Sequence, residues 1–186
     1  MTTIIGISGS LRAGSYNTAL LRAAARRMPS GASLDIATIK GIPIYDGDVE
    51  ASEGIPQEVT ALKDRIAACD GLLLATPEYN NGIPGAFKNA IDWLSRPPAD
   101  IPRVFGNRPT AVIGASPGGF GTILAQNAWL PVLRTLGTQP WHGGRLIVSR
   151  AGSLFNDAGE LVDEKMEAQL QQFLNGFVEF VKSRAR

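Results

Sequence analysis

Thr3-Ile4-Ile5-Gly6-Ile7-Ser8-Gly9-Ser10-Leu11-Arg12-Ala13-Gly14-Ser15-Tyr16-Asn17 contains the pattern from which the rest of the fold is inferred. Residues 3–8 form a short apolar run closed by Gly9, which is typical of a buried strand. Residues 17–28 place apolar side chains at helical spacing and are followed by Pro29 and Gly31. The segment therefore predicts a strand, a polar loop and a helix in succession.

The same alternation of strand and helix continues along the chain. Further strands are predicted over residues 33–39, 71–76, 110–115 and 145–149. Helices are predicted over 57–68, 84–94, 122–136 and 163–182, and a long loop over 41–56. Near-continuous apolar strands separated by helices predict a parallel sheet with helices on both faces. We therefore expect an α/β fold, a three-layer doubly wound sandwich with a five-stranded parallel sheet, as a single domain over residues 1–186.

Composition and charge exclude several classes of protein. The chain has 186 residues, of which 44% are hydrophobic, and a formal net charge of +1. Its apolar runs are far shorter than the ~20 residues of a membrane span, and its start lacks the basic region of a signal peptide, so we expect a cytoplasmic protein without membrane contact. The balanced charge gives no basis for nucleic-acid binding. A single cysteine, Cys69, and a single histidine, His142, predict neither a disulfide nor a metal site.

The loop after the first strand offers several groups suited to a phosphate. They are the hydroxyls of Ser10, Ser15 and Thr18, the amide of Asn17, the guanidinium of Arg12 and the N–H groups at the helix start. The alternative is that Ser15 or Asn17 only caps the helix while Arg12 is solvated. The loop lacks the lysine of a P-loop and the G-x-G-x-x-G of a dinucleotide fold. A monophosphate such as that of FMN is the better match.

Two further loops follow the third and fourth strands, and both are rich in turn-forming residues. The first, residues 76–85, offers backbone amides and the ring of Tyr79 to a heterocycle, or it only reverses the chain. The second, Ser116-Pro117-Gly118-Gly119-Phe120-Gly121, would bring N–H groups close to a flat ligand, or it is only a flexible turn. In a doubly wound sheet such loops meet the first loop where the strand order reverses, which predicts one ligand site.

A serine hydrolase is a weaker alternative. Gly114-Ala115-Ser116-Pro117-Gly118 matches the G-x-S-x-G pattern of a nucleophile elbow. However, Pro117 has no N–H to serve as the oxyanion donor that normally follows the serine. No Asp or Glu lies between Ser116 and His142, so the chain order of the triad is not met. The pattern therefore favours a ligand-binding loop over a nucleophile.

Five motifs occur in a fixed order along the chain. They are the loop at 9–17, Pro43-Ile44-Tyr45-Asp46-Gly47-Asp48, Thr76-Pro77-Glu78-Tyr79-Asn80, Pro84-Gly85-Ala86-Phe87-Lys88-Asn89-Ala90-Ile91-Asp92-Trp93, and Ser116-Pro117-Gly118-Gly119. Together they resemble the NADPH-dependent FMN reductase family, which includes quinone, chromate and azo-dye reductases, from about Ile5 to Leu136. The resemblance implies a flavodoxin-like fold with strand order 2-1-3-4-5 and bound FMN. It also implies ping-pong electron transfer from NADPH or NADH to a quinone, free flavin, metal oxyanion or similar small acceptor.

The resemblance also implies which residues bind FMN. The implied residues are Ser10, Leu11, Arg12, Ser15, Tyr16 and Asn17 around the phosphate, Pro77, Glu78, Tyr79 and Asn80 beside the ring, and Ser116, Gly118 and Gly119 at its other edge. The loop around Tyr45, Asp46 and Asp48 would flank the substrate opening near a subunit contact, in a homodimer or homotetramer. No side chain is implied as a general acid or base.

The chain departs from the family pattern at one place. Several members carry a basic residue in the first turn after Ser-Pro-Gly-Gly, where this chain has Thr122, Ile123 and Leu124. No preference for NADPH over NADH is therefore predicted. The alternative to a reductase is a flavodoxin-like electron carrier, which the near-neutral charge and the presence of Arg12 disfavour.

Overall fold

The computed structural model describes residues 1–184 as one sheet between two layers of helices, so the last two residues of the predicted 1–186 domain lie outside the described residues. The strands are β1 Thr2–Ser8, β2 Ala32–Thr38, β3 Gly71–Ala75, β4 Pro109–Ala115, β5 Gln139–Pro140 and β6 Leu146–Val148. The α-helices are α1 Tyr16–Arg26, α2 Gly47–Glu53, α3 Gln57–Ala67, α4 Gly85–Leu94, α5 Ile101–Val104, α6 Ile123–Thr135 and α7 Glu164–Arg184. Among these residues, no helix is both long enough and apolar enough to cross a membrane.

The strands pair in the order β2-β1-β3-β4-β5, with β6 also beside β4, and every pair is parallel. This confirms the predicted order and the doubly wound fold. Ser8 at the end of β1 lies opposite Ala75 at the end of β3, and Ala75 lies opposite Ile113 in β4. The loops that follow these three strands therefore leave the sheet at the same edge, where the ligand site was predicted.

Two separate cores cover the two faces of the sheet. Successive strand residues point to opposite faces, so Ile4 packs with α1 and α7 while its neighbour Ile5 packs with α3, α4 and α6. The same alternation divides Leu73 from Leu74 in β3. Because both faces are covered, the central strands can be apolar at nearly every position, as the sequence pattern indicated.

The fifth position of the sheet differs from the prediction of one strand over 145–149. Two short strands share it: β5 pairs with the start of β4, and β6 pairs with the end of β4. Between them the chain leaves the sheet and the indole of Trp141 packs against Phe173, with ring centroids 4.9 Å apart. A Cβ atom on Gly176 would lie 2.8 Å from that indole, so the absence of a side chain there makes room for the ring. The five positions of the predicted sheet are confirmed, whereas the single strand predicted for the last position is divided into two short strands, with the Trp141 contact between them.

The segment 41–56, predicted as a loop, contains α2. Asp46 caps this helix by accepting a hydrogen bond from the Asp48 N–H at 2.9 Å, and Asp48 and Glu50 place negative charge in its first turn. None of its residues is buried. The helix was therefore missed because it carries no apolar periodicity, and its capping signal lies in a stretch rich in Pro and Gly.

Gly9 provides a test of the packing beneath the first loop. A methyl group at this position would lie 2.1 Å from Cδ1 of the fully buried Phe87 ring. We expect Gly9→Ala to lower the free energy of unfolding by about 1–3 kcal/mol in chemical denaturation, because the core must shift to accept the extra atom. Gly85→Ala is the matched control, since no atom lies within 4 Å of its added Cβ. Equal stability of the two variants would contradict the contact.

Candidate functional site

A cleft opens at the carboxyl edge of the sheet, between the loops that follow β1, β3 and β4. Its lining residues are Ser10, Arg12, Ser15, Tyr16, Asn17, Pro77, Glu78, Tyr79, Ala115, Ser116 and Pro117. Most of the predicted site residues are thus brought together. Leu11, Asn80, Gly118 and Gly119 belong to the same loops but do not line the enclosed part of the cleft.

The first loop ends at the N-terminus of α1, which supplies hydrogen-bond donors. Ser15 is the N-cap, and its hydroxyl oxygen accepts from the Thr18 N–H at 3.2 Å. Within residues 1–184 the N–H groups of Tyr16 and Asn17 have no protein acceptor. Arg12 is exposed beside them. Free N–H groups, the helix dipole and one guanidinium form an anion site of the kind that binds phosphate.

The side chain of Asn17 has a different role from the predicted one. Its Nδ2 donates to the carbonyl of Ala115 at 2.9 Å, and its Oδ1 accepts from the Ala115 N–H at 2.9 Å. Asn17 is buried, so these two bonds join the start of α1 to the end of β4 away from water. Only the backbone N–H of Asn17 remains for a phosphate.

The second loop is held by a turn and by a helix cap. Asn80 and Asn81 adopt left-handed backbone conformations, with φ of 50° and 64°, in a turn closed by hydrogen bonds between Tyr79 and Gly82. Asparagine tolerates this conformation better than most residues. The carboxylate of Glu78 accepts from the N–H groups of Leu124 and Ala125, each at 2.9 Å, and so caps the first turn of α6. The backbone of Glu78 therefore faces the cleft while its side chain is used for structure.

The third loop is also cross-linked by hydrogen bonds. The Gly118 N–H donates to the hydroxyl of Ser116 at 3.0 Å, while the Gly118 carbonyl accepts from Arg150. The Ser116 carbonyl accepts from the Ala151 N–H at 3.0 Å. The next N–H along the loop, that of Gly119, has no acceptor among the described residues. Gly119 is therefore the first residue of this loop whose N–H is free, one position beyond Gly118.

The geometry does not assemble a serine hydrolase. Ser116 lines the cleft at the carboxyl edge, whereas His142 lines another cavity beside Trp141 and Arg145. The Ser116 hydroxyl accepts a hydrogen bond within its own loop instead of donating to a histidine. The nucleophile alternative therefore has no geometric support.

The acidic segment that contains α2 is fastened to α4, the helix after the Tyr79 turn. The carbonyl of Pro43 accepts from Asn89 Nδ2 at 2.8 Å and from Trp93 Nε1 at 2.9 Å. The Tyr45 hydroxyl donates to Glu50 at 2.9 Å.

Charge fixes the protonation of this contact. A hydrogen bond from Arg96 lowers the pKa of Glu50, and the bond to Glu50 raises the pKa of Tyr45. Glu50 is thus ionised and Tyr45 protonated at neutral pH, which keeps the segment in place.

The donors of the cleft fit a flavin mononucleotide. The α1 N-terminus and Arg12 suit its phosphate dianion. The N–H groups of Glu78 and Gly119, which have no acceptor among the described residues, suit the polar edges of a flat ring. The space above the loops is open, since a Cβ atom added to Gly14 or Gly119 would meet no atom within 4 Å. The backbone at these two glycines is therefore unobstructed on the side where a Cβ atom would stand.

Comparison with known proteins points to the same ligand. The sequence profile of the NADPH-dependent FMN reductase family matches residues 2–153. An NAD(P)H-dependent FMN reductase of Pseudomonas aeruginosa is 43% identical over 179 residues, which cover 96% of this chain and 95% of that protein. A 2-hydroxy-1,4-benzoquinone reductase of a Burkholderia species is 36% identical over 178 residues, with coverage of 96% and 95%.

Solved structures show the same similarity. FerB of Paracoccus denitrificans, a flavoenzyme NAD(P)H:(acceptor) oxidoreductase, superposes with a TM-score of 0.88 at 33% identity and covers 99% of both chains. An archaeal flavodoxin shares the fold alone, with a TM-score of 0.62 at 11% identity and coverage of 97% and 99%. The flavodoxin-like architecture is thereby confirmed.

Asn17 tests whether the cleft is held together as described. We expect Asn17→Ala to lower the free energy of unfolding by about 1–3 kcal/mol, because it leaves buried backbone groups of Ala115 unpaired. Chemical denaturation measures the change. Asn175→Ala, which removes an exposed asparagine of α7, is the control and should change stability by less than about 0.5 kcal/mol. A loss no larger than that of the control would show that the two bonds do not stabilise the fold.

Proposed function

The chain belongs to the NADPH-dependent FMN reductase family, and on that premise we propose that it is a single-domain oxidoreductase that transfers electrons from NADPH or NADH to a small-molecule acceptor, with FMN bound in the cleft. The observation that carries this proposal is the set of unpaired backbone donors at one edge of the sheet. They lie on three loops that side-chain hydrogen bonds hold in place. Such preorganised donors suit a cofactor that carries negative charge at its phosphate.

The FMN phosphate would lie at the N-terminus of α1. The N–H groups of Tyr16 and Asn17 and the guanidinium of Arg12 would bind it, with Ser10 and Ser15 beside them. The ring would lie between the second and third loops, bordered by Pro77, Glu78, Tyr79 and Asn80 on one side and by Ser116, Gly118 and Gly119 on the other. FMN supplies reversible two-electron chemistry that none of these side chains can supply.

Donor and acceptor would use the same opening in turn, which is a ping-pong order. For a quinone, one reduced nicotinamide, one proton and one quinone are consumed, and one oxidised nicotinamide and one quinol are released. Relatives named as FMN and quinone reductases support flavins and quinones as acceptors, and we extend the proposal to metal oxyanions of suitable potential. The carboxylate of Glu78 caps α6, so the proton would come from solvent at the open face.

We further propose that the protein is a cytoplasmic homodimer or homotetramer. Large apolar side chains are exposed on the three cleft loops, in the Tyr45 segment and in the first turn of α6. They are Leu11, Ile44, Tyr79, Phe120 and Leu124. Burial of such side chains against a second copy would remove apolar surface from water and bring the Tyr45 segment to a subunit contact. The supply of reduced nicotinamide supports the cytoplasmic location.

Arg12 tests the position of the phosphate. We expect Arg12→Ala to raise the Kd for FMN by about tenfold to hundredfold, the loss typical of a charge-assisted hydrogen bond. The Kd for riboflavin, which has no phosphate, should not change. Arg22→Ala removes the same charge from an exposed position of α1 and is the control. Equal losses for FMN and riboflavin would show that Arg12 does not bind the phosphate; fluorescence quenching measures both constants.

Spectra and rates together test the activity. Anaerobic NADPH or NADH should bleach the visible bands of the FMN-loaded protein. Initial rates with 1,4-benzoquinone should give parallel double-reciprocal lines, the pattern of a ping-pong order. Intersecting lines would contradict that order. A protein that binds FMN but is bleached by neither nucleotide would be an electron carrier instead of a reductase.

A further inference from the structure

Two fully buried polar side chains lie directly beneath the second loop. Thr76 follows the last residue of β3, and Trp129 lies in α6; both are 0% exposed. The indole Nε1 of Trp129 lies 3.1 Å from the hydroxyl oxygen of Thr76. That oxygen in turn lies 2.8 Å from the carbonyl oxygen of Pro77, which borders the cleft.

The direction of both of these hydrogen bonds is fixed. The indole nitrogen can only donate, so the Thr76 oxygen is the acceptor from Trp129. The Thr76 hydroxyl proton must therefore go to the carbonyl of Pro77. The two bonds run in one direction from the core to the loop, and each strengthens the other in surroundings of low dielectric constant.

These bonds determine which way the peptide between Pro77 and Glu78 faces. The pyrrolidine ring fixes φ of Pro77, and the Thr76 hydroxyl holds its carbonyl toward the core. This peptide is trans, so the Glu78 N–H points the opposite way, away from Thr76. That N–H has no acceptor within residues 1–184. A reversed peptide would leave the buried Thr76 proton unpaired, which is costly.

We infer that Thr76 and Trp129 are positioning residues. They present the Glu78 N–H to the cleft as a fixed donor and keep the Pro77 carbonyl turned away from the cleft. The inference rests on the proposed binding of FMN. A flavin ring nitrogen gains a proton on reduction and becomes an N–H donor. If the Pro77 carbonyl could turn toward that N–H, it would accept a hydrogen bond from it and favour the addition of single electrons. With the carbonyl held in the core, two-electron exchange is favoured, as a hydride donor requires.

Stepwise anaerobic reduction of the FMN-loaded protein, followed by visible and EPR spectra, tests this role. We expect Thr76→Val to raise the comproportionation constant of bound FMN, which measures how far single-electron transfer is favoured, by about tenfold, the effect of one hydrogen bond. Thr76→Ser keeps the hydroxyl and should restore the wild-type value. Trp129→Phe should raise the constant by less, because Thr76 still donates to Pro77. Trp93→Phe, at another fully buried tryptophan whose Nε1 donates to Pro43, should leave it unchanged.

The outcomes separate this inference from the proposed function. If Thr76→Val binds FMN and the comproportionation constant of that FMN equals the wild-type value, the positioning role is wrong while the proposed function stands. If Thr76→Val is too unstable to bind FMN, the test rests on Trp129→Phe. A comproportionation constant equal to the wild-type value in that variant overturns the positioning role. If the wild-type protein itself takes up no FMN, the proposed function and this inference fail together before any variant is compared.

Discussion

Two hydrogen bonds between the Asn17 side chain and the backbone of Ala115 hold the cleft together. They join residues 98 positions apart, in the first turn of α1 and at the end of β4. Asn17 is 4% exposed, so water does not compete for these bonds. The loops after β1 and β4 cannot separate without leaving buried backbone groups unpaired. The distance between the predicted phosphate end and the Ser116 loop is therefore set before any ligand binds, which lowers the cost of binding.

The remaining polar side chains of the cleft follow the same division of roles. Glu78 caps α6, the Ser116 hydroxyl holds Gly118, and Thr76 holds the Pro77 carbonyl. Among residues 1–184, the groups without a protein partner on the cleft side include backbone N–H groups on all three loops, beside the exposed guanidinium of Arg12. Fixed backbone donors stabilise charge without reorganising when it develops. This arrangement suits a protein whose chemistry comes from a bound cofactor, because the protein then needs to orient that cofactor instead of supplying reactive side chains.

The sequence predicted those strands that are marked by a local apolar run and by turn-forming residues at its end. The apolar runs of β1, β3 and β4 end at turn-forming residues, so their existence followed from the sequence, whereas the strand order came from the family resemblance. The roles of the Asn17 and Glu78 side chains depend on residues 98 and 46 positions away, which no local signal reveals. Contact between Trp141 and Phe173 interrupts the last strand in the same non-local way. The use of the Gly118 N–H within its own loop was equally hidden, because it depends on the conformation that brings this group to the Ser116 hydroxyl.

Amide chemical shifts of the ¹⁵N-labelled protein during titration with FMN would locate the bound flavin most directly. The largest changes should fall on residues 10–17, 77–82 and 116–121, which form and flank the cleft at the carboxyl edge. The chain offers another cavity, of about 300 Å³, lined by Trp141, His142 and Arg145. If the changes gather around that cavity while the three loops stay unchanged, the flavin does not bind where the backbone donors converge, and the function proposed for the cleft is wrong.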